Sequence, residues 1–210
     1  MNFLKPKYEI GGKKYVVVKQ IGEGAYAFVY RVKAFGFGEQ PMHALKKLIC
    51  QTEEQLEEAK KEMRLLSEIN HPNVLHLIGS EMKENKKEQT EALLLMPLYD
   101  MTVQDIIDKG PGYPGSALSS EPHRLLRICH AFCSGLQAIH SYGFRHCDFK
   151  PANVLMRRHP SGSGDEEVVI TDLGSACPLT VDVTSRAEAL VRALPFVCPP
   201  YRLLHDAYII

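Results

Sequence analysis

Apolar positions follow two different rhythms along this chain. From Tyr15 to Gln20 valines and aromatic residues dominate and run into Ile21. Gly22-Glu23-Gly24 breaks the run, and Phe28-Val29-Tyr30 resumes it, which predicts a strand, a glycine turn and a second strand. His43-Ala44-Leu45-Lys46 predicts a third strand with a lysine at its end. The rhythm then becomes helical: Leu56, Ala59, Met63, Leu66 and Ile69 recur behind Thr52 and Gln55, which form a capping box. Glu62 falls on or beside the apolar face, whereas Glu53, Glu54, Glu57 and Glu58 belong to the solvated side. A glutamate so placed costs desolvation unless a cation meets it, and Lys46 is the candidate.

The helix is expected to end near Asn70-His71-Pro72, followed by strand-like runs at Val74–Ile78 and Glu91–Pro97 around a polar turn. Pro97 to Tyr99 reads as a linker whose extended backbone can hydrogen-bond a purine edge. Val103–Asp108 predicts a short helix and Gly110–Ser116 a Gly/Pro loop. A long helix begins near Ser119 or Ser120, with Pro122 in its first turn and Leu125, Ile128, Phe132, Leu136 and Ile139 along one face. Gly143 closes it as a C-cap. Val154–Met156 and Val168–Thr171 predict a hairpin that delivers the chain to Asp172-Leu173-Gly174.

Composition narrows the class without naming it. The 210 residues are 45% hydrophobic, enough for one large domain or two small lobes. Twenty-five basic and twenty-five acidic residues cancel, so no bulk field favours nucleic acid or an anionic membrane. No apolar run is long enough to span a bilayer, and the amino terminus has no cleavable signal pattern, so a cytoplasmic protein is expected. Asn2 follows Met1, and no cysteine precedes Cys50, so signals for N-myristoylation and early palmitoylation are missing. Six cysteines without a zinc-like grouping are expected to be free thiols.

Candidate chemistry is concentrated in HCDFKPANVLM, His146 to Met156. Asp148 can orient or deprotonate a hydroxyl, Lys150 can neutralise phosphate charge, and Asn153 can offer a carbonyl oxygen to a hard cation. That triplet points to phosphoryl transfer, although Asp, Asn and Pro are also ordinary turn residues. The Gly22-x-Gly24 turn would leave backbone N–H groups open to a phosphate chain. Ala27 stands where a third glycine is usual, and Gly-x-Gly also occurs as a plain tight turn.

Taken in order, these motifs resemble the eukaryotic protein kinase catalytic domain from about Tyr15 to Leu190. Gly22-x-Gly24 with Val29 resembles the glycine-rich loop, Ala44-x-Lys46 the third-strand lysine, Glu62 its helix partner, HCDFKPAN the catalytic loop and Asp172-Leu173-Gly174 the D-F-G motif. The resemblance implies an α+β, bilobal fold: an antiparallel β N-lobe over 15–96 with one regulatory helix, after an extension over 1–14, and an incomplete, mostly helical C-lobe over 97–210. It implies a serine/threonine kinase using ATP and Mg²⁺ on a protein serine or threonine. Asp148, Lys150, Lys46 and Glu62 would be catalytic, and Asn153 and Asp172 would hold the metal. ATP would meet Ile21, Gly22, Glu23, Gly24, Ala25, Tyr26, Ala27, Phe28 and Val29 of the hairpin. It would also meet Ala44 and Lys46, then Met96 as the gatekeeper before the hinge and Leu98 and Tyr99 in it, with Leu155 as the adenine floor. Leu66, Leu77, His146 and Leu173 would stack as a column joining the lobes.

G-E-G-A-Y-A-F-V, H-P-N-V-L, D-L-G-S and Ser185-Arg186-x-x-Ala189-Leu190 are most similar to the Numb-associated kinase family, in its Golgi-associated acylated subgroup. That subgroup's peripheral endomembrane address depends on the acylation signals missing here. Cys147 replaces the arginine that reads an activation-loop phosphate in many kinases, which predicts loss of that switch. Similarity fades after Leu190, and the chain stops at Ile210 before the remaining helices, so a truncated product is expected. Leu125, Ile128 and Phe132 would then lose burial worth about 1.5–3 kcal/mol each. Two other readings are an ATP-binding pseudokinase acting as a regulatory or scaffold protein, and a small-molecule phosphotransferase. Lys150, the glycine hairpin and Glu62 favour protein substrates over the last.

Overall fold

The structure, a computed structural model, describes residues 6–85, 89–109, 122–158 and 166–179. Its N-terminal part is one antiparallel sheet of six strands ordered β1-β2-β3-β4-β6-β5. They are β1 Lys7–Ile10, β2 Lys13–Glu23, β3 Ala27–Ala34, β4 Met42–Cys50, β5 Gly79–Glu84 and β6 Thr90–Pro97. Residues 7–10, assigned to an N-terminal extension in the sequence reading, pair with β2, and Ile10 is buried. Two-residue alternation divides the sheet's side chains between two cores. Leu45, Leu93 and Leu95 pack with Ile10, Val17 and Val32 on one face, while Ala44, Leu94 and Met96 join the larger core on the other.

Helix α1, Glu53–Glu68, lies against that larger core. Thr52 caps it, its Oγ1 accepting from the Gln55 amide at 3.3 Å, while the Gln55 side chain reaches back to the Gln51 amide at 2.8 Å. The stripe buries Ala59, Glu62, Leu65 and Leu66. After α1 the chain does not form the expected strand at Val74–Ile78. Val74 makes only an isolated parallel bridge to Ile170, and the ladder begins at Gly79. The apolar residues there serve as packing from a loop: Val74, Leu75 and Leu77 are all buried in the larger core.

The C-terminal part has β7 Met101–Thr102, α2 Val103–Lys109, α3 Pro122–Ser141, β8 Phe144–Arg145, a 3₁₀ turn over Pro151–Asn153, β9 Val154–Arg158, β10 Glu166–Ile170 and β11 Cys177–Pro178. β10, β9 and β7 make a three-stranded sheet, and β11 pairs with β8. Helix α3 buries Ile128 and Ile139, but Leu125 is exposed, and Arg124 takes the inward position through a 2.7 Å ion pair with Glu166 of β10. Gly135 is needed for close approach: a Cβ there would lie 2.5 Å from the Asn73 carbonyl oxygen. Gly143, at φ +83°, ends the helix in the left-handed conformation expected of a C-cap. The loop expected at Gly110–Ser116, the start of α3 before Pro122 and the stretch from Ser185 to Leu190 lie outside the described residues.

Candidate functional site

Strand β4 and helix α1 build the upper half of the site. Lys46 shares the cleft-facing side of β4 with Ala44, but it lies mid-strand, since β4 continues to Cys50. Its Nζ donates to Glu62 Oε1 at 2.7 Å and Oε2 at 2.9 Å, and to Asp172 Oδ1 at 2.9 Å. Burial works to lower the lysine's pKa, but the charges and hydrogen bonds of Glu62 and Asp172 outweigh it and hold the ammonium ionised. Burial pushes the Glu62 carboxyl up, opposed by Lys46. Asp172 is also partly desolvated, yet Lys46 brings its carboxyl below the ordinary range.

The lower half is a loop held by its own side chains. Lys150 Nζ meets Asp148 Oδ2 at 2.7 Å. Asn153 is buried, and its Nδ2 donates to the Asp148 carbonyl at 2.8 Å and to Oδ2 at 3.3 Å. The Asn153 carbonyl accepts from the Thr171 amide at 3.0 Å, which ties the loop to the segment carrying Asp172. His146 reinforces the same junction: Nε2 bonds the Thr171 carbonyl at 2.9 Å, and Nδ1 accepts from the Asp148 amide at 3.3 Å. Those partners assign the neutral tautomer with the proton on Nε2, and burial accordingly lowers the His146 pKa. Cys147 and Asp172 both have positive φ, 61° and 66°. Left-handed backbone at two non-glycine residues costs on the order of 1–3 kcal/mol each, held here by the surrounding bonds.

Between the halves lies a cleft of about 610 Å³. Ile21, Gly22, Glu23, Gly24, Ala27, Val29, Ala44, Lys46, Met96, Leu98, Tyr99, Asn153, Leu155 and Asp172 line it, all anticipated from the sequence. Asp148, Lys150 and Glu62 do not line it, nor do three of the hairpin residues expected to meet ATP. Phe28 alternates away from Ala27 and Val29 and stacks on Tyr30, with ring centroids 6.4 Å apart. Tyr26 instead lines a second cavity behind Lys46, with Cys50, Ala59 and Glu62. Ala25, at the hairpin tip, lines neither. The glycine turn is also tighter than expected: Gly22 still pairs with Val29, and the Gly24 N–H donates to the Ala27 carbonyl at 2.7 Å.

Leu75, Asp100, Thr102, Asp105, Ala152 and Thr171 line the cleft without having been singled out. Asp105 carried a usable signal, standing three residues after Thr102 at a helix start; its Oδ2 accepts from both the Thr102 amide and hydroxyl. The hinge has its own anchor. Tyr99 Oη donates to Glu167 Oε1 at 2.6 Å, Arg157 pairs with Glu167 Oε2 at 2.7 Å and lies 4.7 Å from the Tyr99 ring centroid. Leu66, Leu77, His146 and Leu173 are all buried, and the Leu77 amide donates to the Leu66 carbonyl at 3.2 Å.

One cysteine expectation is corrected: Cys147 of the lower loop and Cys177 of β11 are joined as a disulfide. Pairing of β11 with β8 sets Cys177 opposite Arg145, two residues before Cys147, which brings the two sulfurs together. Cys50, Cys129 and Cys133 are free thiols.

A two-lobed cleft with a strand lysine clamped by a helix glutamate, facing an Asp-x-Lys-x-x-Asn loop and a second aspartate, is the arrangement of a protein kinase. Sequence comparison agrees, and the chain belongs to that family: the family model described as protein kinase domain matches residues 15–201. Among curated relatives, rat serine/threonine-protein kinase 16 is 32% identical over 183 residues, covering 86% of this chain and 56% of its own. The human protein of that name is 31% identical over 187 residues, with the same coverage. A probable serine/threonine-protein kinase of Dictyostelium discoideum is 33% identical over 162 residues, covering 73% of this chain and 43% of its own. The chain thus spans about half the length of the curated relatives it matches. Among the described residues no helix is long and apolar enough to cross a membrane.

Proposed function

We propose that this chain is a serine/threonine protein kinase that transfers the γ-phosphoryl group of ATP to a protein serine or threonine hydroxyl, and that it falls within the Numb-associated kinase family. The finer placement rests on G-E-G-A-Y-A-F-V, H-P-N-V-L and D-L-G-S. One observation carries the activity. Asp148 has Oδ2 held by Lys150 and Asn153, while among the described residues Oδ1 has no partner. A carboxylate fixed at one oxygen and open at the other can accept the proton of an acceptor hydroxyl and orient it.

Lys150, beside that oxygen, supplies positive charge where the transferring phosphoryl would lie, and Lys46 supplies it further inside for the inner phosphates. Apolar Ile21, Val29, Ala44 and Leu155 offer a slot for a flat base. Asn153 commits its Nδ2 to Asp148, which leaves its Oδ1 as an acceptor, and Asp172 uses Oδ1 for Lys46. One amide oxygen and one carboxylate fit a hard cation that takes its other ligands from phosphate and water, so these residues would hold Mg²⁺. When bound, the ion would neutralise phosphate charge.

The test is transfer of labelled γ-phosphate to a generic protein substrate, comparing the chain with Asp148→Asn. A loss of about 10²–10⁴-fold in the variant is expected. Equal transfer by both proteins would sink the assignment. Thermal stabilisation by Mg²⁺-ATP without transfer by either would instead favour a nucleotide-binding regulatory protein.

A further inference from the structure

We propose that Cys147 and Cys177 form a reversible thiol–disulfide site, by which a peroxide or other hydroperoxide sets how firmly the nucleotide-facing loops are held. The two cysteines are thirty residues apart in sequence. The segment they close contains Asp148, Lys150, Asn153 and Asp172, so a single covalent bond spans from the loop carrying Asp148 to the segment carrying Asp172. Both cysteines are only partly buried, unlike Cys50, and are open to a small oxidant.

The backbone around them is built for the approach. Cys147 sits at positive φ, immediately before Asp148. Cys177 lies on a two-residue strand whose register sets it against Arg145. Among the described residues, that strand is otherwise tied by its pairing with β8 and by the Leu179 amide donating to the Gly143 carbonyl at 2.7 Å. A two-residue ladder is a weak fastening; Leu173 and Ala176 are buried in the larger core, so the bridge bears on how firmly the segment beyond Ala176 stays docked.

The chemistry balances with a hydroperoxide as oxidant. One thiolate attacks the peroxide, the O–O bond breaks, and an S–O bond forms to give a sulfenic acid, the departing oxygen leaving as water or an alcohol after protonation. The second thiol then attacks that sulfur, the S–S bond forms, and the hydroxyl leaves as water. A small thiol reverses the bond by exchange through a mixed disulfide. Closing the loop removes conformations that nucleotide binding would otherwise have to suppress, so the oxidised form should bind Mg²⁺-ATP more tightly. This last consequence rests on the proposed function; the bridge itself does not.

The experiment treats the purified chain with hydrogen peroxide, alkylates remaining thiols and maps linked peptides. A peptide pair joining Cys147 to Cys177 is expected, lost on reduction with dithiothreitol and absent from Cys177→Ser. Wild-type protein should bind Mg²⁺-ATP at least about fivefold more tightly when oxidised than when reduced, and Cys177→Ser should show no such difference. Amide exchange between residues 147 and 177 should slow on oxidation. Failure of the pair to form, coupling to other cysteines instead, or a mapped bridge with unchanged amide exchange overturns the proposal. Should neither redox state bind nucleotide, the kinase reading fails, and peptide mapping with amide exchange still decides the site.

Discussion

The two halves of the cleft reach similar precision by different means. Above, Lys46 and Glu62 stand in the middle of a nine-residue strand and a sixteen-residue helix, and packing on both faces of the sheet and on the buried stripe of the helix fixes where they point. Below, Asp148, Lys150, Asn153 and Asp172 stand on loops flanked by strands of two to five residues, and the constraints are individual hydrogen bonds, ion pairs and a disulfide. A site carried by regular elements is resilient to loss of a single hydrogen bond but exposed to loss of a buried charge partner. A site carried by loops has the opposite weakness.

The largest separation of the two should come from Lys46→Ala. It leaves Glu62 buried beside Asp172 with no cation, and breaking a buried pair from one side costs about 3–5 kcal/mol. Urea unfolding should show that loss, and Lys46→Met combined with Glu62→Leu should recover most of it. Failure to recover would mean that the halves are joined by more than this charge cluster.

Asn153→Ala should cost less, about 1–3 kcal/mol, because it removes the two hydrogen bonds that Nδ2 donates to Asp148 and leaves Lys150 to hold the carboxylate. Its signature is local. Amide exchange should rise across the lower loop while α1 stays protected, and equal loosening of both would break the distinction.

The smallest effect is a pH dependence. Burial depresses the folded-state pKa of His146 below its ordinary value near 6.5. The unfolded chain therefore binds the proton more readily, so this stabilising contribution is complete above about pH 6.5 and declines as pH falls below it. Melting temperatures between about pH 7 and 5 should fall less steeply in His146→Phe. An unchanged slope would place the sensitivity elsewhere.

Much of this arrangement is legible in the residue pattern alone. Glu62 was found because a glutamate on an apolar stripe demands a cation, and Lys46 supplies it. The motif order gave the cleft, and Gly143 announced the end of α3. What failed did so for tertiary reasons. Val74 to Ile78 has the composition of a strand, but it is buried as a loop because Val74 and Leu75 pair with and pack around Ile170. Leu125 shares the helical spacing of Ile128, yet Arg124 displaces it by meeting Glu166. Phe28 followed the glycine motif in sequence while pleating away from the cleft. The meeting of Cys147 with Cys177 depends on a two-residue ladder that periodicity cannot detect.

The anchor around Tyr99 has a mechanical consequence. Its hydroxyl is bonded to Glu167, its ring lies against Arg157, and the Asp100 amide donates to the Met156 carbonyl at 3.0 Å, so the second half of the hinge is fastened to the lower sheet. Pro97, by contrast, is the last residue of the upper sheet and pairs with His43. Any rocking of one lobe over the other must bend the chain near Leu98, a fulcrum one residue wide. A Glu167→Gln change should blur that fulcrum, seen as faster exchange of the Asp100 amide with the β6 amides unaffected.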